Sequence, residues 1–315
     1  MVKWRAIFNG ATGPGDARYL DELYAGWQSR MLANPDYSME DLRDIFEEWH
    51  RPALEPEDVR YRSASVGGVP AIFAFPPENE GDTVIYCHGG GFCVGSAEGR
   101  RKLGGHLARH MRATVVIIDY RLAPEHPFPA AIEDSVAVFH SLRAEQAGAG
   151  RILIAGDSAG GNLAIATVLK LRDLGDSLPA AIIAFSPWLD MEHSGETIET
   201  NAATDTLVNR AMLEGLAATY LAGASPVDPL ANPLMADLAG LPPVYLNAGS
   251  AEALLSDTTR FADAAVKAGV DVTVSIAEAM QHVCPCLAGR TRIADDELAN
   301  IATWHRSRWA AVDAR

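Results

Sequence analysis

The chain contains 315 residues, of which 48% are hydrophobic and 21% are charged, and it carries a formal net charge of −15. This length fits one large domain with an insertion, and the composition is ordinary for a globular protein. The excess of acidic residues argues against binding to nucleic acid or to an anionic membrane surface. Four cysteines in a chain of this length do not make a disulfide framework, so we expect four buried free thiols.

Targeting and membrane signals are not visible in the sequence. No apolar run reaches membrane-spanning length. Residues 1–15 lack the basic and apolar segments of a signal peptide. We therefore expect a cytoplasmic protein without a membrane partner.

The N-terminal region predicts two helices. Within residues 16–50, apolar side chains recur at spacings of three and four residues, which places them on one face of a helix. Pro52 and Pro56 end this helical region.

From residue 59 onward the pattern predicts eight strands. Two alternating runs, residues 59–66 and 69–75, are joined by Gly67-Gly68 and predict a hairpin. Six short apolar runs, typical of strands covered on both faces, follow at residues 83–87, 113–119, 152–155, 180–186, 244–248 and 270–276. Helical patterns lie between most of these runs and after the last one, at about 97–111, 130–146, 159–175, 254–268 and 292–312. The alternation predicts a mostly parallel, doubly wound sheet with helices on both faces.

The connection between Ser186 and Pro243 is unusually long, and it contains a helical pattern at residues 209–221. A structureless loop of that length would be out of place in a compact domain. We therefore predict an α/β domain over residues 51–315 with a cap insertion at about 190–225. The insertion and residues 1–50 are expected to form one helical cap over the carboxyl ends of the strands, where open α/β sheets bind ligands.

The run Gly156-Asp157-Ser158-Ala159-Gly160 lies between a predicted strand and a predicted helix. In this context a G-x-S-x-G motif presents its serine at the tip of a sharp turn. Gly156 and Gly160 permit the close approach of neighbouring backbone, and the N–H group of Ala159 points toward an oxyanion formed at Ser158. The motif predicts a nucleophilic serine.

A second motif, His88-Gly89-Gly90-Gly91-Phe92, follows the strand predicted at residues 83–87. A glycine-rich loop after a strand exposes backbone N–H groups, and Gly89 and Gly90 are the natural second and third oxyanion donors. The two motifs, in this order and each at a strand end, predict a serine hydrolase.

At these residues the sequence resembles the bacterial hormone-sensitive-lipase-like branch of the α/β-hydrolases, over nearly the whole chain from about Arg60 onward. The further runs that carry the likeness are Asp119-Tyr120-Arg121-Leu122-Ala123-Pro124-Glu125, Ser186-Pro187-Trp188-Leu189-Asp190 and Leu241-Pro242-Pro243. The resemblance implies the α/β-hydrolase fold, with an eight-stranded, mostly parallel sheet and a helical cap, and a catalytic domain that hydrolyses carboxylic esters. It also implies that the run from Asp119 to Glu125 shapes the floor of the site near the glycine loop.

A serine hydroxyl becomes a strong nucleophile only when a base removes its proton. In this fold the catalytic residues follow the chain order serine, acid, histidine, so the base is a histidine that comes last. Three histidines, His193, His282 and His305, follow Ser158. His282 alone comes directly after the last predicted strand, so we predict it as the base. Structural roles are expected for the other two, one in the cap insertion and one in the terminal helix.

The acid should follow the strand predicted at residues 244–248. The commoner family pattern there is Asp-Pro-Leu-x-Asp, and this sequence departs from it with Ala251 and Glu252. The run resembles the subgroup that uses glutamate, which implies Glu252 as the acid. Asp257, about one and a half helical turns further, is the alternative, or it stabilises or caps the loop. The run Asp228-Pro229-Leu230 precedes the strand, so we interpret it as a turn.

Two polar residues beside the motifs are assigned supporting roles. Adjacent residues at an elbow diverge, so we expect the carboxylate of Asp157 to hydrogen-bond to the backbone of the glycine loop instead of the imidazole. His88 belongs to that loop and precedes the serine, so it is not the base.

The cap and the resemblance favour esters of short to medium acyl chains or of compact alcohols as the small-molecule substrate. Candidate pocket residues, each equally compatible with core packing, are Phe92, Trp188, Leu189, Leu207 and Val283. No nucleotide-binding or metal-binding motif appears, so we expect no cofactor and no metal.

Three questions remain open. A lactone, amide or thioester could replace the ester, whereas a non-catalytic ligand-binding role is disfavoured because His282 and Glu252 are both present. The family often pairs through its last strand and terminal helix, which implies a homodimer. Trp304 and Trp309 would then lie at its interface, or they anchor the terminal helix to its own sheet.

Overall fold

The computed structural model describes residues 5–9, 18–34, 36–146 and 150–313, with only the backbone of residues 5–9, 146 and 310–313. Its strands are β1 (Arg5–Asn9), β2 (Arg60–Val66), β3 (Val69–Phe75), β4 (Thr83–Cys87), β5 (Thr114–Ile118), β6 (Ile152–Asp157), β7 (Ile182–Phe185), β8 (Val244–Gly249) and β9 (Val272–Ala277). Its α-helices are α1 (Arg18–Ala33), α2 (Met39–Glu47), α3 (Arg101–Met111), α4 (Ala130–Gln146), α5 (Ala159–Leu174), α6 (Thr197–Thr200), α7 (Arg210–Leu221), α8 (Leu255–Lys267) and α9 (Arg292–Asp313). Short 3-10 turns lie at Glu48–His50, Pro233–Met235 and Cys284–Leu287.

The described strands form one sheet in the order β1-β9-β8-β7-β6-β4-β5-β3-β2. β3 pairs antiparallel with β2 and with β5, and every other neighbouring pair is parallel. The central strands β4, β6, β7 and β8 are buried at every residue, because helices cover both faces of the sheet. The α/β-hydrolase fold and all eight predicted strands are confirmed, with small differences at the strand ends.

The sheet also has a ninth strand that the sequence pattern does not predict. β1 pairs in parallel with β9, from Arg5 opposite Thr273 to Asn9 opposite Ala277. A five-residue segment carries little periodicity of its own, and its pairing depends on a sheet edge far away in the sequence. Residues 16 and 17 of the first predicted helix lie outside the described residues.

The N-terminal helices and the long insertion contact each other above the sheet. Trp27 of α1 is buried between Phe46 of α2 and Trp49, with ring centroids 5.3 and 5.7 Å away. Gln28 Nε2 donates a 2.8 Å hydrogen bond to the carbonyl oxygen of Leu207 in the insertion. These contacts support the proposed cap of residues 1–50 and about 190–225, and this division of the chain stays our proposal.

The terminal helix is anchored to its own chain. Trp304 is buried against Tyr245, with ring centroids 5.3 Å apart, and Trp309 Nε1 donates to Nδ1 of His305 at 3.2 Å. The other ring nitrogen of His305 lies 2.8 Å from Asp82 Oδ2, so this histidine has the structural role expected of it.

Two expectations from composition can be compared with the structure. The four cysteines are free and buried, as predicted. Within the described ranges, no helix combines the length and the apolar character needed to cross a bilayer.

Candidate active site

The turn between β6 and α5 consists of one residue, Ser158, whose φ of 55° and ψ of −120° lie outside the regions that ordinary residues favour. This strained conformation reverses the chain direction and places the serine at the carboxyl edge of the sheet. The residue is 8% exposed and directly precedes α5, whose N-terminal end favours negative charge. The predicted elbow is therefore present in the structure.

Glycine is required on both sides of this elbow because the surrounding backbone is too close for a side chain. A Cβ atom at Gly156 would lie 2.2 Å from the carbonyl oxygen of Gly160. A Cβ atom at Gly160 would lie 2.0 Å from the carbonyl oxygen of Cys87, at the end of β4. The same glycines bring the start of α5 against the start of the glycine loop.

The glycine loop turns back on itself directly after β4. The carbonyl oxygen of Gly90 accepts hydrogen bonds from the N–H groups of Cys93 and Val94, both at 3.0 Å. Within the described part of the chain, the N–H groups of Gly89 and Gly90 donate to no protein acceptor. Gly91, with a φ of 59°, lies against Leu216 of α7 and joins the loop to the cap.

The run from Asp119 to Glu125 supports this loop, as the family resemblance implies. The hydroxyl of Tyr120 donates to the carbonyl oxygen of His88 at 2.7 Å, and the two rings stack with centroids 4.3 Å apart. The N–H group of Ala123 donates to the carbonyl oxygen of Phe92 at 2.9 Å.

The predicted base and acid lie side by side at the ends of β9 and β8. His282 Nδ1 is 3.6 Å from Glu252 Oε2, and both side chains are almost completely buried. This separation is longer than a hydrogen bond, and such bonds in unliganded sites often shorten only in the substrate complex. His282 and Ser158 line the same narrow cavity, which has a free volume of about 30 Å³.

Ser186 connects the acid to the base, a role that the sequence analysis did not assign. Its hydroxyl donates to Glu252 Oε2 at 2.6 Å and accepts from the N–H group of Val283 at 2.9 Å. Because Val283 directly follows His282, this one hydroxyl fixes the carboxylate and the base at once. The residue opens the Ser186–Asp190 motif, but nothing in that motif specifies its partners.

The base is also held from the N-terminal region. The hydroxyl of Tyr24 on α1 donates to the carbonyl oxygen of His282 at 3.0 Å. A Cβ atom at Gly249 would lie 2.1 Å from the carbonyl oxygen of Met280, so the end of β8 touches the backbone that leads to the base. Neither contact has a local sequence signal.

Asp157 does not bind the backbone of the glycine loop, and that prediction is wrong. Its carboxylate accepts hydrogen bonds from Tyr86 at 2.8 Å and from Arg100, whose closest nitrogen lies at 2.6 Å. Although burial raises its pKa, the charge and hydrogen bonds of Arg100 hold the pKa of Asp157 below its ordinary value. The guanidinium of Arg100 also lies 3.7 Å from the ring centroid of Trp49, so the ion pair connects the elbow to the cap. A buried arginine was not predicted because nothing in its own sequence neighbourhood distinguishes it.

Asp257 lies away from the base. Its Oδ2 accepts hydrogen bonds from the N–H groups of Leu189 and Asp190 at 2.8 and 3.0 Å. Burial, reinforced by the neighbouring charge of Asp190, raises the pKa of Asp257 to about 7. The carboxylate stabilises the Ser186–Asp190 segment, which matches the loop-stabilising role considered from the sequence.

Two other candidates have structural surroundings. The carboxylate of Asp228 accepts a hydrogen bond from the N–H group of Leu230 at 2.9 Å, within a turn, as interpreted from the sequence. His193 stacks on Trp188 with ring centroids 5.8 Å apart.

Of the five predicted pocket residues, Trp188 and Leu207 line the cavity beside Ser158. The remaining three are packed into the core: Phe92 stacks on Tyr220 with centroids 3.8 Å apart, and Leu189 and Val283 are fully buried beside the acid and base segments. The further residues that line the cavity are Phe46, Trp49, Gly90, Gly91, Val208, Met212, Leu213, Leu216 and Leu254. Four of these come from the cap insertion, whose helix α7 the sequence predicted without indicating which face it turns to the site. Among the described residues, no cluster of three or more histidine, cysteine, aspartate or glutamate side chains could hold a metal ion.

Comparisons with known proteins agree with this geometry. A family model described as alpha/beta hydrolase fold matches residues 84–285. The acetyl-hydrolase of Streptomyces hygroscopicus is 38% identical over 270 residues, which cover 80% of this chain and 90% of that protein. The esterase of Acinetobacter venetianus is 34% identical over 232 residues, which cover 73% of this chain and 77% of that protein. A crystal structure of an esterase from the bacterial hormone-sensitive lipase (HSL) family matches with a TM-score of 0.88 and 36% identity, over 95% of this chain and 99% of that one.

The chain therefore belongs to the α/β-hydrolase family. Within that family it is a serine carboxylesterase of the bacterial hormone-sensitive-lipase-like branch.

The raised pKa of Asp257 predicts how stability depends on pH. A carboxyl group with a folded-state pKa of about 7 binds its proton more tightly in the folded than in the unfolded chain, where the value is about 3.9. Stability is therefore lost as the pH rises from about 4 through 7. Asp257→Asn keeps an oxygen acceptor and cannot ionise, so we expect its stability advantage over wild type to grow with pH, to the order of 3 kcal/mol at pH 8.

Urea unfolding at pH 5, 6.5 and 8 measures this difference. Asp237→Asn is the control, because among the described residues the Asp237 side chain accepts only the N–H group of Ala239, at 2.9 Å, in an exposed turn. A constant difference between Asp257→Asn and wild type across this range would contradict the assignment.

Proposed function

We propose that the protein hydrolyses carboxylic esters of short to medium acyl chains through a Ser158–His282–Glu252 triad and a covalent acyl-enzyme. The observation that carries the proposal is the convergence of three strand ends. The nucleophile after β6 and the base after β9 line one cavity, and the acid after β8 lies 3.6 Å from the base. This is the constellation that activates a serine hydroxyl.

In the first half of the reaction Ser158 Oγ attacks the ester carbonyl while His282 accepts its proton. Glu252 orients the imidazole and stabilises its positive charge after proton transfer. His282 then gives the proton to the leaving alcohol. In the second half, the same histidine activates water, which attacks the acyl-enzyme and releases Ser158.

The negative charge that develops on the carbonyl oxygen needs preorganised donors. The N–H groups of Gly89 and Gly90 have no protein acceptor in the described chain, and Ala159 is the first residue of α5. We propose these three N–H groups as the oxyanion hole, in which one donor typically contributes about 3 kcal/mol to lowering the barrier.

The size of the cavity supports a small acyl group. Its walls are bulky side chains of the cap and the sheet edge, among them Trp188, Leu207 and Leu216, and they leave a free volume of about 30 Å³. A relative with 38% identity is named an acetyl-hydrolase, which supports the same size class.

Removing the nucleophile or the acid tests the triad. Ser158→Ala should abolish hydrolysis of p-nitrophenyl acetate and butyrate. Glu252→Gln should keep the fold, measured by circular dichroism, and lower kcat roughly 10³-fold or more, because the imidazolium loses its counter-charge. Asp257→Asn is the matched control and should keep most of kcat.

Activity that survives Ser158→Ala would refute the proposed mechanism, whereas full activity in Glu252→Gln would refute only the choice of acid. A wild-type protein inactive on all p-nitrophenyl esters would direct the search to lactones, amides or thioesters.

A second, apolar groove lies outside the catalytic cavity, between α2 and α7, with a free volume of about 210 Å³. Phe46, Met212 and Leu216 line both spaces, so they separate the groove from the cavity. Shortening the wall between them should admit longer acyl chains.

Leu216→Ala is expected to raise the ratio of kcat/KM for p-nitrophenyl octanoate over butyrate at least about tenfold, because each additional buried methylene contributes about 0.8 kcal/mol. The ratio is the readout because the Leu216 side chain also touches the glycine loop, so removing it can lower kcat for every substrate. Thr219→Ala, one turn further along α7, lines only the groove and should leave the ratio unchanged. An unchanged ratio in Leu216→Ala would remove its role as the partition.

A homodimer that pairs through the last strand, β9, and the terminal helix, α9, also stays a proposal. The outer strand among the described residues is β1, paired with β9, so a second copy would pair with β1 or displace it. Light scattering during gel filtration should give twice the chain mass at micromolar concentration, and a monomer mass would remove the proposal.

A further inference from the structure

The cap insertion contains a short segment that contacts both catalytic loops. We call residues 201–208 the cap strap, residues 250–254 the acid loop and residues 278–283 the base loop. The side chain of Asn201 donates to the carbonyl oxygens of Ser250 and Glu252 at 3.1 and 2.9 Å. Thr204 Oγ1 donates to the carbonyl oxygen of Ala251 at 2.9 Å. The strap therefore hydrogen-bonds to three consecutive carbonyl groups of the acid loop.

The base loop is joined to the same strap. Gln281 Nε2 donates to the carbonyl oxygen of Thr204 at 2.7 Å, and its Oε1 accepts from the N–H group of Thr206 at 3.1 Å. Because Gln281 directly precedes His282, the position of the base depends on the strap. The two contacts lie on either side of Asp205.

Asp205 is the centre of these contacts. Its side chain is buried, and Oδ2 accepts a 2.7 Å hydrogen bond from the N–H group of Ala253, the residue after Glu252. Oδ1 accepts from the N–H groups of Leu207 and Val208 at 2.9 and 2.8 Å. One carboxylate thus joins the acid loop to the two strap residues that line the cavity.

The chemistry of these contacts favours the ionised form of Asp205. All three partners are donors, and an ionised carboxylate is an acceptor at both oxygens. Burial raises the pKa of this carboxyl above its ordinary value, and the charge of His282 and the three hydrogen bonds oppose the rise.

Several groups face His282 from the surrounding elements. Glu252 lies beside Nδ1, Tyr24 of α1 binds its carbonyl oxygen, and Asp21 of α1 interacts with the adjacent Gln281. Asp205 differs from the other two carboxylates because its oxygens are fixed by the main chain of both the strap and the acid loop.

We propose that Asp205 is a positioning residue for the Glu252–His282 pair, and that its negative charge stabilises the imidazolium formed when Ser158 attacks. This inference rests on the proposed function. It adds a member of the cap to the machinery that sets the geometry and the charge of the base.

Three variants separate the charge from the contacts. Asp205→Asn removes the charge at constant size and replaces one acceptor oxygen by an NH2 donor, so the shift of the acid limb, and not kcat alone, reports the charge. Asn201→Ala removes two contacts between strap and acid loop and leaves the charge of Asp205 in place. Asp237→Asn is the control, since Asp237 forms a similar turn with Ala239 on the surface.

The measurement is the pH dependence of kcat and KM for p-nitrophenyl acetate between pH 5 and 9, with thermal unfolding of each variant. In Asp205→Asn we expect kcat to fall about tenfold or more, and by a larger factor than KM rises. The acid limb of kcat/KM should move to lower pH by about half a unit or more, because the protonated imidazole has lost a neighbouring negative charge. In Asn201→Ala we expect a smaller fall in kcat and an unmoved acid limb.

A folded Asp205→Asn with an unmoved acid limb would overturn the electrostatic role. Wild-type kcat in Asn201→Ala would overturn the positioning role of the strap, and this variant remains informative if Asp205→Asn does not fold. Ser158→Ala distinguishes this inference from the proposed function. Activity that survives in Ser158→Ala would contradict the proposed function, whereas a failure of the Asp205 proposal alone would leave Ser158→Ala inactive.

Discussion

The active site depends on the close approach of two pieces of backbone, the end of β4 and the beginning of α5. Gly160 lies so near the carbonyl groups of Cys87 and His88 that any side chain at this position would collide with them. The contact holds the elbow serine beside the glycine loop, which is where an oxyanion would need its donors. The strained backbone of Ser158 persists because β6, α5 and this contact determine it from several sides.

Four buried carboxylates around the site illustrate how surroundings assign different roles to the same chemical group. Asp157 is paired with Arg100, so it remains charged and holds the elbow to the cap. Asp257 binds only main-chain N–H groups beside another carboxylate, and its pKa rises to about 7. Glu252 lies beside His282, and Asp205 lies among main-chain donors of the cap strap and the acid loop. Partners, more than position in the chain, decide which of them can orient a base.

In the proposed mechanism, the cap contributes to the catalytic geometry as well as covering the cavity. Tyr24 of α1 holds the carbonyl group of His282, and Gln281 is bound by the strap of the insertion. Leu216 of α7 touches the glycine loop. Contacts of this kind couple the position of the cap to the alignment of the base and the oxyanion donors, so a movement of the cap would alter the chemistry as well as access.

The amino-acid sequence by itself determined the fold, because six apolar strands alternate with helices and the turn motifs stand at the strand ends. It also determined Ser158 and His282 as candidates, since each follows a strand at the position that the fold assigns to its role. The family resemblance implied Glu252 as the acid with Asp257 as the alternative, and only the tertiary structure shows that Glu252 lies beside His282 whereas Asp257 binds the main chain elsewhere. It alone identified Arg100, Ser186 and Asp205, whose partners are distant in sequence, and it alone paired β1 with β9. Local periodicity indicates which face of a helix or strand is buried. These contacts join residues that are distant in sequence, so they form only when separate loops meet at one edge of the sheet.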